Sequence, residues 1–158
     1  MNSITQLFSS NDMLLDLDVQ NKQALFEAVG RLWEERHGMA ASEVMDSLIA
    51  REKLGSTGLG QGVAIPHARV KGLTEAVAAF ARLKNPIDFD SPDDHPVAYC
   101  FVLLVPEHAN EQHLKILADV AAMLSNSQFR NRLGASRSQY EVHRLFTAWH
   151  DGIADGGK

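Results

Sequence analysis

Apolar residues recur along this chain at two spacings, and the spacings divide it into elements. Over Lys22–His37, Leu25, Val29 and Leu32 fall on one helical face with Phe26 and Trp33 flanking, while Glu27, Arg31 and Glu35 repeat four residues apart on the opposite face. Asn21 stands where an N-cap belongs and Gly38 where a helix stops. The same period over Ala41–Leu54 sets Val44, Met45, Leu48 and Ile49 on a stripe that Gly55 ends. A third helix is predicted over Glu111–Leu124, capped by Asn110, with Leu114, Leu117, Ala121 and Leu124 as its stripe and Val120 beside it. A shorter one follows near Gln128–Leu133, stopped by Gly134. The last opens on the capping box Ser138-Gln139-Tyr140-Glu141 and reaches Trp149, with Val142, Leu145, Phe146 and Trp149 inward.

Between the second and third helices the period changes. Val97–Val105 is a nearly unbroken apolar run closed by Pro106, as expected of a central strand buried on both faces. Glu75–Leu83 reads as a strand with two largely apolar faces, Asn85-Pro86 as a turn, Val63–Ile65 as a short buried strand and Met13–Leu17 as an edge strand. This order predicts an α/β single-domain sandwich, a small mixed β-sheet with helices on both faces, over residues 1–150. The polar, glycine-rich residues 151–158 read as a disordered tail.

Composition narrows the function. A net charge of −5 argues against a broad nucleic-acid surface, which needs an excess of Lys and Arg. No apolar stretch approaches the ~20 residues that span a bilayer, so no membrane insertion is expected, and the N-terminus carries no secretory signal. Cytoplasmic is the expected location. The single cysteine, Cys100, lies in an apolar run and reads as core filler, which excludes disulfide frameworks and Cys-rich zinc sites.

The chemistry concentrates in Arg51–Arg69, REKLGSTGLGQGVAIPHAR. Gly55, Gly58, Gly60 and Gly62 alternate with Ser56 and Thr57 in a loop whose exposed amides suit an anion. The loop lacks the Gly-Lys-Ser/Thr ending of a Walker sequence, so ATP is not expected as a direct donor. Pro66 fixes the geometry that presents His67. Histidine titrates near ~6.5, so a bare ring nitrogen is available as a nucleophile at neutral pH. His113 is the third residue of its predicted helix, close to the N-terminal amides. If the strands before His67 and before the His113 loop are parallel neighbours, the two imidazoles converge on an anion site. Arg51, with Lys53, suits the negative end of its helix dipole, and Arg51 is equally placed to reach a phosphate. Ser56 and Thr57 are candidate phosphate-binding residues, whose hydroxyls would donate hydrogen bonds to the phosphate. His37, His95, His108, His143 and His150 read as structural or solvated, and no carboxylate cluster calls for a metal.

Two blocks, LIAREKLGSTGLGQGVAIPHAR and PIDFDSPDDHPVAYCFVLLVPEHANEQHLKILADVAAML, make the chain resemble the mannitol/fructose class of enzyme IIA of the bacterial phosphotransferase system, the type-2 IIA domain, and in particular its nitrogen-regulatory branch. The resemblance runs over about residues 4–148. It implies an α/β sandwich and a phosphotransferase working through a phosphohistidine. By that resemblance the accepting histidine falls on His67, the second active-site histidine on His113, and the basic residue beside them on Arg51. It implies an HPr-like phosphocarrier, charged from phosphoenolpyruvate by its enzyme I, as donor. Regulatory targets are implied too, potassium transport and sensor kinases among them, and no cofactor. Ala68 departs from the family, which usually has Gly after the Pro-His pair; a small side chain is kept, so tighter backbone geometry and an intact nucleophile are expected. The alternative within the resemblance is a sugar-specific IIA that passes phosphoryl to a separate IIB. Outside it stand a binding module with structural histidines and a metal hydrolase, for which a third ligand is not evident.

Overall fold

A computed structural model describes residues 4–108 and 110–149; the expected tail and His150 lie outside the described residues. Its strands are β1 (Met13–Leu17), β2 (Gly58–Gly60), β3 (Val63–Ala64), β4 (His67–Val70), β5 (Val77–Ile87) and β6 (Val97–Pro106). Its helices are α1 (Lys22–His37), α2 (Ala41–Leu54), α3 (Glu111–Ser125), α4 (Ser127–Ala135) and α5 (Gln139–Ala148). The strands form one mixed sheet in the order β1-β5-β6-β3-β2, with β4 pairing β6 beyond β3. β5 runs antiparallel to β6, and β3 and β4 run parallel to it.

β6 explains the layering. Phe101, Leu103 and Val105 enter one core cluster with Ile116 and Val120 of α3, Phe129 of α4 and Phe146 of α5. Cys100, Val102 and Leu104 enter the other, with Leu25, Phe26, Val29 and Trp33 of α1 and Val44 and Leu48 of α2. Each fully buried side chain of this size contributes about 1.5–3 kcal/mol, so a strand burying both faces is the natural centre. Burial pushes the Cys100 thiol well above the usual range, in keeping with an inert core residue.

Several boundaries differ from the sequence expectation, each for a physical reason. β5 does not turn at Asn85-Pro86 but continues to Ile87. The register with β6 breaks between Arg82 and Ile87, so Pro86 stands where no ladder hydrogen bond asks for its missing amide. Gly134 does not stop α4, which runs on to Ala135. The stop comes from Arg82, whose guanidinium donates to the carbonyls of Leu133 at 2.8 Å and Ser136 at 2.7 Å. α3 is rotated from its expected stripe: Ile116, Val120, Met123 and Leu124 are buried, whereas Leu114 is 67% exposed. His143 is not a free surface residue; its Nε2 lies 3.0 Å from the carbonyl of Phe8 and ties the N-terminal segment to α5.

Candidate active site

The expected short strand ending at Pro66-His67 proves to be the first half of an interrupted one. β3 pairs with β6 through Val63 and Ala64, and β4 resumes the same parallel ladder with His67 opposite Leu103. At the break, the Leu103 amide donates to the carbonyl of Pro66 at 2.9 Å, so the proline keeps the chain in line while needing no donor of its own. His67 therefore begins a strand instead of ending one. The register carries Ala68 into the α1–α2 core, where it is 5% exposed. His67 and Arg69, two apart, share the opposite face, toward α3.

The His67 ring is half-buried, and its Nδ1 lies 2.7 Å from the carbonyl of Ile65. A carbonyl only accepts, so Nδ1 carries the ring proton and Nε2 keeps its lone pair. His113 is set the opposite way. It is the third residue of α3 and closes a capping box: Asn110 Oδ1 accepts the Gln112 amide at 3.0 Å, and the Asn110 amide donates to His113 Nδ1 at 3.1 Å. An amide only donates, so His113 Nδ1 is bare and the proton of the neutral ring is on Nε2. The strands leading to the two histidines are parallel neighbours, and both rings line one cavity of about 420 Å³ between α2, β4 and α3.

Arg51, from the last turn of α2, lines the same cavity and is steadied by a hydrogen bond from Nη1 to the carbonyl of Gly55 at 3.0 Å. Arg69 lines it as well, and among the described residues none that lines it is acidic. In a chain of net charge −5, two arginines line one pocket to whose wall the described residues contribute no carboxylate. Exposed Leu54 (85%) and Leu114 (67%) stand at the rim.

Much of the glycine segment is built into a hairpin. β2 and β3 form a hairpin whose two turn residues, Gln61 and Gly62, have φ of 58° and 82°, the positive pair that a type I′ turn requires. At Gly58 a side chain would run into the Ser91 hydroxyl. The amides of Gly55, Thr57 and Gly58 are bonded to the Glu52 carbonyl, the Glu52 carboxylate and the Ser56 hydroxyl. Ser56 Oγ donates to the carbonyl of Phe89, and Thr57 Oγ1 donates to Glu52 at 2.6 Å. Both residues line a cleft of about 410 Å³ beside Arg51 and His67, yet each hydroxyl proton is already used within the protein. As they stand, Ser56 and Thr57 shape the loop and offer an anion no hydroxyl proton.

Two site residues escape the sequence reading. Arg69 is recoverable from the alternation that follows once His67 is known to lie on a strand. Glu52, buried beside Arg51, would look like an ordinary helix-surface acid. Among the described residues no other histidine lines this cavity: His37 lies 3.4 Å from Asp12, His95 sits beside Asp93, and His108, exposed beside Glu107, lines an adjacent cleft with His113. Among the described residues no helix is long and apolar enough to cross a membrane.

Comparison with known proteins agrees with this architecture. Residues 6–149 match the family model described as "Phosphoenolpyruvate-dependent sugar phosphotransferase system, EIIA 2". The chain is 37% identical over 143 residues to a nitrogen regulatory protein of Pseudomonas aeruginosa, covering 90% of this chain and 93% of that one. The solved nitrogen regulatory protein IIA-Ntr of Neisseria meningitidis superposes with a TM-score of 0.87 at 42% identity, over 92% of this chain and 99% of that one. IIA mannitol of Escherichia coli shares the fold, with a TM-score of 0.74 at 20% identity over 88% and 98% of the two chains. An interrupted strand beside a cationic pocket thus stands in a chain that belongs to the EIIA 2 family of the phosphoenolpyruvate-dependent phosphotransferase system.

Proposed function

We propose that this protein is a phosphoryl carrier and regulator of the nitrogen branch of the phosphotransferase system, accepting phosphoryl on Nε2 of His67 from an HPr-like phosphocarrier. The observation that carries this reading is the opposed setting of the two imidazoles: His67 Nδ1 is tied to Ile65, which leaves Nε2 as the nucleophile, and His113 Nδ1 is tied to Asn110, which leaves Nε2–H as a donor.

In the transfer, the Nε2 lone pair forms the new N–P bond as the donor's N–P bond breaks, and that bonding pair returns to the donor imidazole. The proton stays on His67 Nδ1, donated to the Ile65 carbonyl throughout, so no proton has to move. A loose phosphoryl transition state asks the protein for alignment and charge stabilisation. His113 Nε2–H and the Arg51 guanidinium supply both, and Arg69 adds positive field. Exposed Leu54 and Leu114 at the rim form the apolar seat on which the phosphocarrier docks. The nitrogen-regulatory relatives support a regulatory role in which phosphorylated and free forms differ in affinity for target proteins.

Incubation with phosphoenolpyruvate, enzyme I and the nitrogen-branch phosphocarrier is expected to load one acid-labile, base-stable phosphoryl group on the wild type and none on His67→Ala. Labelling of the variant refutes the assignment. Rapid discharge to a fructose- or mannitol-type IIB would move the role from regulation to sugar transport.

A further inference from the structure

Glu52 follows Arg51 in the last turn of α2, but its side chain is buried on the other flank, where it lines a cleft with Lys22 and Asp90. Its Oε1 accepts the Thr57 hydroxyl at 2.6 Å; its Oε2 accepts the Thr57 amide at 3.1 Å and meets Lys22 Nζ at 2.9 Å. Lys22 also reaches Asp90 at 3.3 Å and lies over the Phe89 ring. A buried carboxylate is tolerated only when its lone pairs are satisfied in this way.

What sets this cluster apart from an ordinary internal ion pair is where Thr57 leads. The Thr57 carbonyl accepts the Ile65 amide at 3.1 Å, and the Ile65 carbonyl holds His67 Nδ1 at 2.7 Å. In the other direction, the loop closed between Glu52 and Thr57 contains Gly55. The Gly55 amide is bonded to the Glu52 carbonyl at 3.2 Å, and its own carbonyl is the anchor of Arg51 Nη1 at 3.0 Å. One carboxylate therefore stands behind both the bond that fixes the His67 proton and the bond that steadies Arg51.

The geometry points to Glu52, acting through Thr57, as a positioning residue for phosphoryl transfer that sets the His67 tautomer and the Arg51 guanidinium together. The inference rests on the reading of His67 as the acceptor. Loosening the clamp displaces nucleophile and cation at once, while the docking seat at Leu54 and Leu114 is formed by other side chains. The loss therefore falls on the rate of the chemical step and leaves donor affinity alone.

The test measures phosphoryl uptake from the charged phosphocarrier by Glu52→Gln, Thr57→Val and Thr57→Ser, with rates normalised to the folded fraction, and reads the His67 tautomer from imidazole ¹⁵N shifts. Glu52→Gln and Thr57→Val are expected to lower the saturating rate by roughly tenfold with an unchanged half-saturating donor concentration. Both are also expected to convert the single Nδ1–H form of His67 to a mixture, and Thr57→Ser to recover rate and tautomer together. Wild-type rate and tautomer in folded Thr57→Val overturn the positioning role while leaving His67 as the acceptor. A loss confined to the folded fraction, with the normalised rate intact, also overturns it. A wild type that takes up no phosphoryl group removes the acceptor reading, and this inference with it.

Discussion

The two flanks of the stretch from Arg51 to His67 are built on opposite rules. On the flank facing α3, His67 and His113, each tied through Nδ1, line with Arg69 a shared cavity to which the described residues contribute no acid. On the flank facing α1, the side chains of Lys22, Glu52 and Thr57 are bonded to one another, and Ser56 to Phe89. The difference teaches that the open face depends on a bonded network behind it, which runs from Glu52 through Thr57 to Ile65. An open donor can wait for an incoming phosphoryl group only if its other atoms are held. The largest break in this comparison is His113→Ala, which removes an open donor. Losing one aimed donor typically lowers the chemical step by about 10²–10³-fold, or roughly 2.7–4 kcal/mol. The fold should survive, since only one half of the α3 capping box is lost, at a cost of about 1 kcal/mol. Phosphoryl-uptake kinetics beside thermal unfolding check this, and a wild-type rate removes His113 from the site.

Striking the closed flank at Lys22, which spares the bonds between Glu52 and Thr57, should fall mainly on stability. Lys22→Met leaves the buried Glu52 carboxylate with its Thr57 bonds but no cation, and leaves Asp90 alone at the surface. Breaking a fully buried pair costs about 3–5 kcal/mol. Lys22 retains 21% exposure, so water partly compensates, and about 2 kcal/mol is the expected loss. Denaturant unfolding should show that loss as a lowered midpoint with an unchanged slope. A stability equal to the wild type would mean that the carboxylate does not depend on its lysine.

The comparison also explains what could be read from the sequence. Both core stripes of α1 and α2, the doubly buried β6 and the cap at Asn110 follow from local period and capping chemistry. So do His67 beyond its proline and His113 three residues into a helix, because those signals lie within one element. The glycine hairpin was not legible because positive φ serves a hairpin turn and an anion loop alike, and the pairing of Gly58 with Ala64 is a contact between strands that local sequence does not announce. The α3 stripe misled for a similar reason: Leu114 and Ile116 satisfy a helical period on adjacent faces, and which one is buried depends on where the sheet lies. Glu52 was invisible because its partners Lys22 and Thr57 are 30 and 5 residues away, a juxtaposition only the fold creates.

Leu114 sharpens the same contrast from the apolar side, since an exposed leucine at the mouth of an open pocket is explained by a partner, not by the core. Leu114→Ser should leave stability and the saturating rate near wild type and raise the half-saturating phosphocarrier concentration a few-fold, about 1 kcal/mol. Titrating the donor in uptake kinetics separates the two parameters. An unchanged half-saturation would place the docking seat elsewhere.

The smallest effect is expected at Asp93, where the saturated flank reaches the surface. Its carboxylate accepts the amide of Gln61 in the hairpin turn at 2.8 Å and that of His95 at 3.1 Å. These two amides hold its pKa below the ordinary value of 3.8. A carboxylate whose folded pKa is depressed contributes stability that is fully present above the unfolded value and is lost as pH falls through the folded one. Asp93→Asn keeps an acceptor oxygen but no charge, so it should melt slightly below the wild type at neutral pH. That gap should close as pH drops below 3.8 and Asp93 itself becomes neutral. Thermal unfolding of both proteins across this range reads the difference directly. A gap that stays constant with pH would show that the hairpin turn is held by shape alone and that the charged clamps end at Glu52.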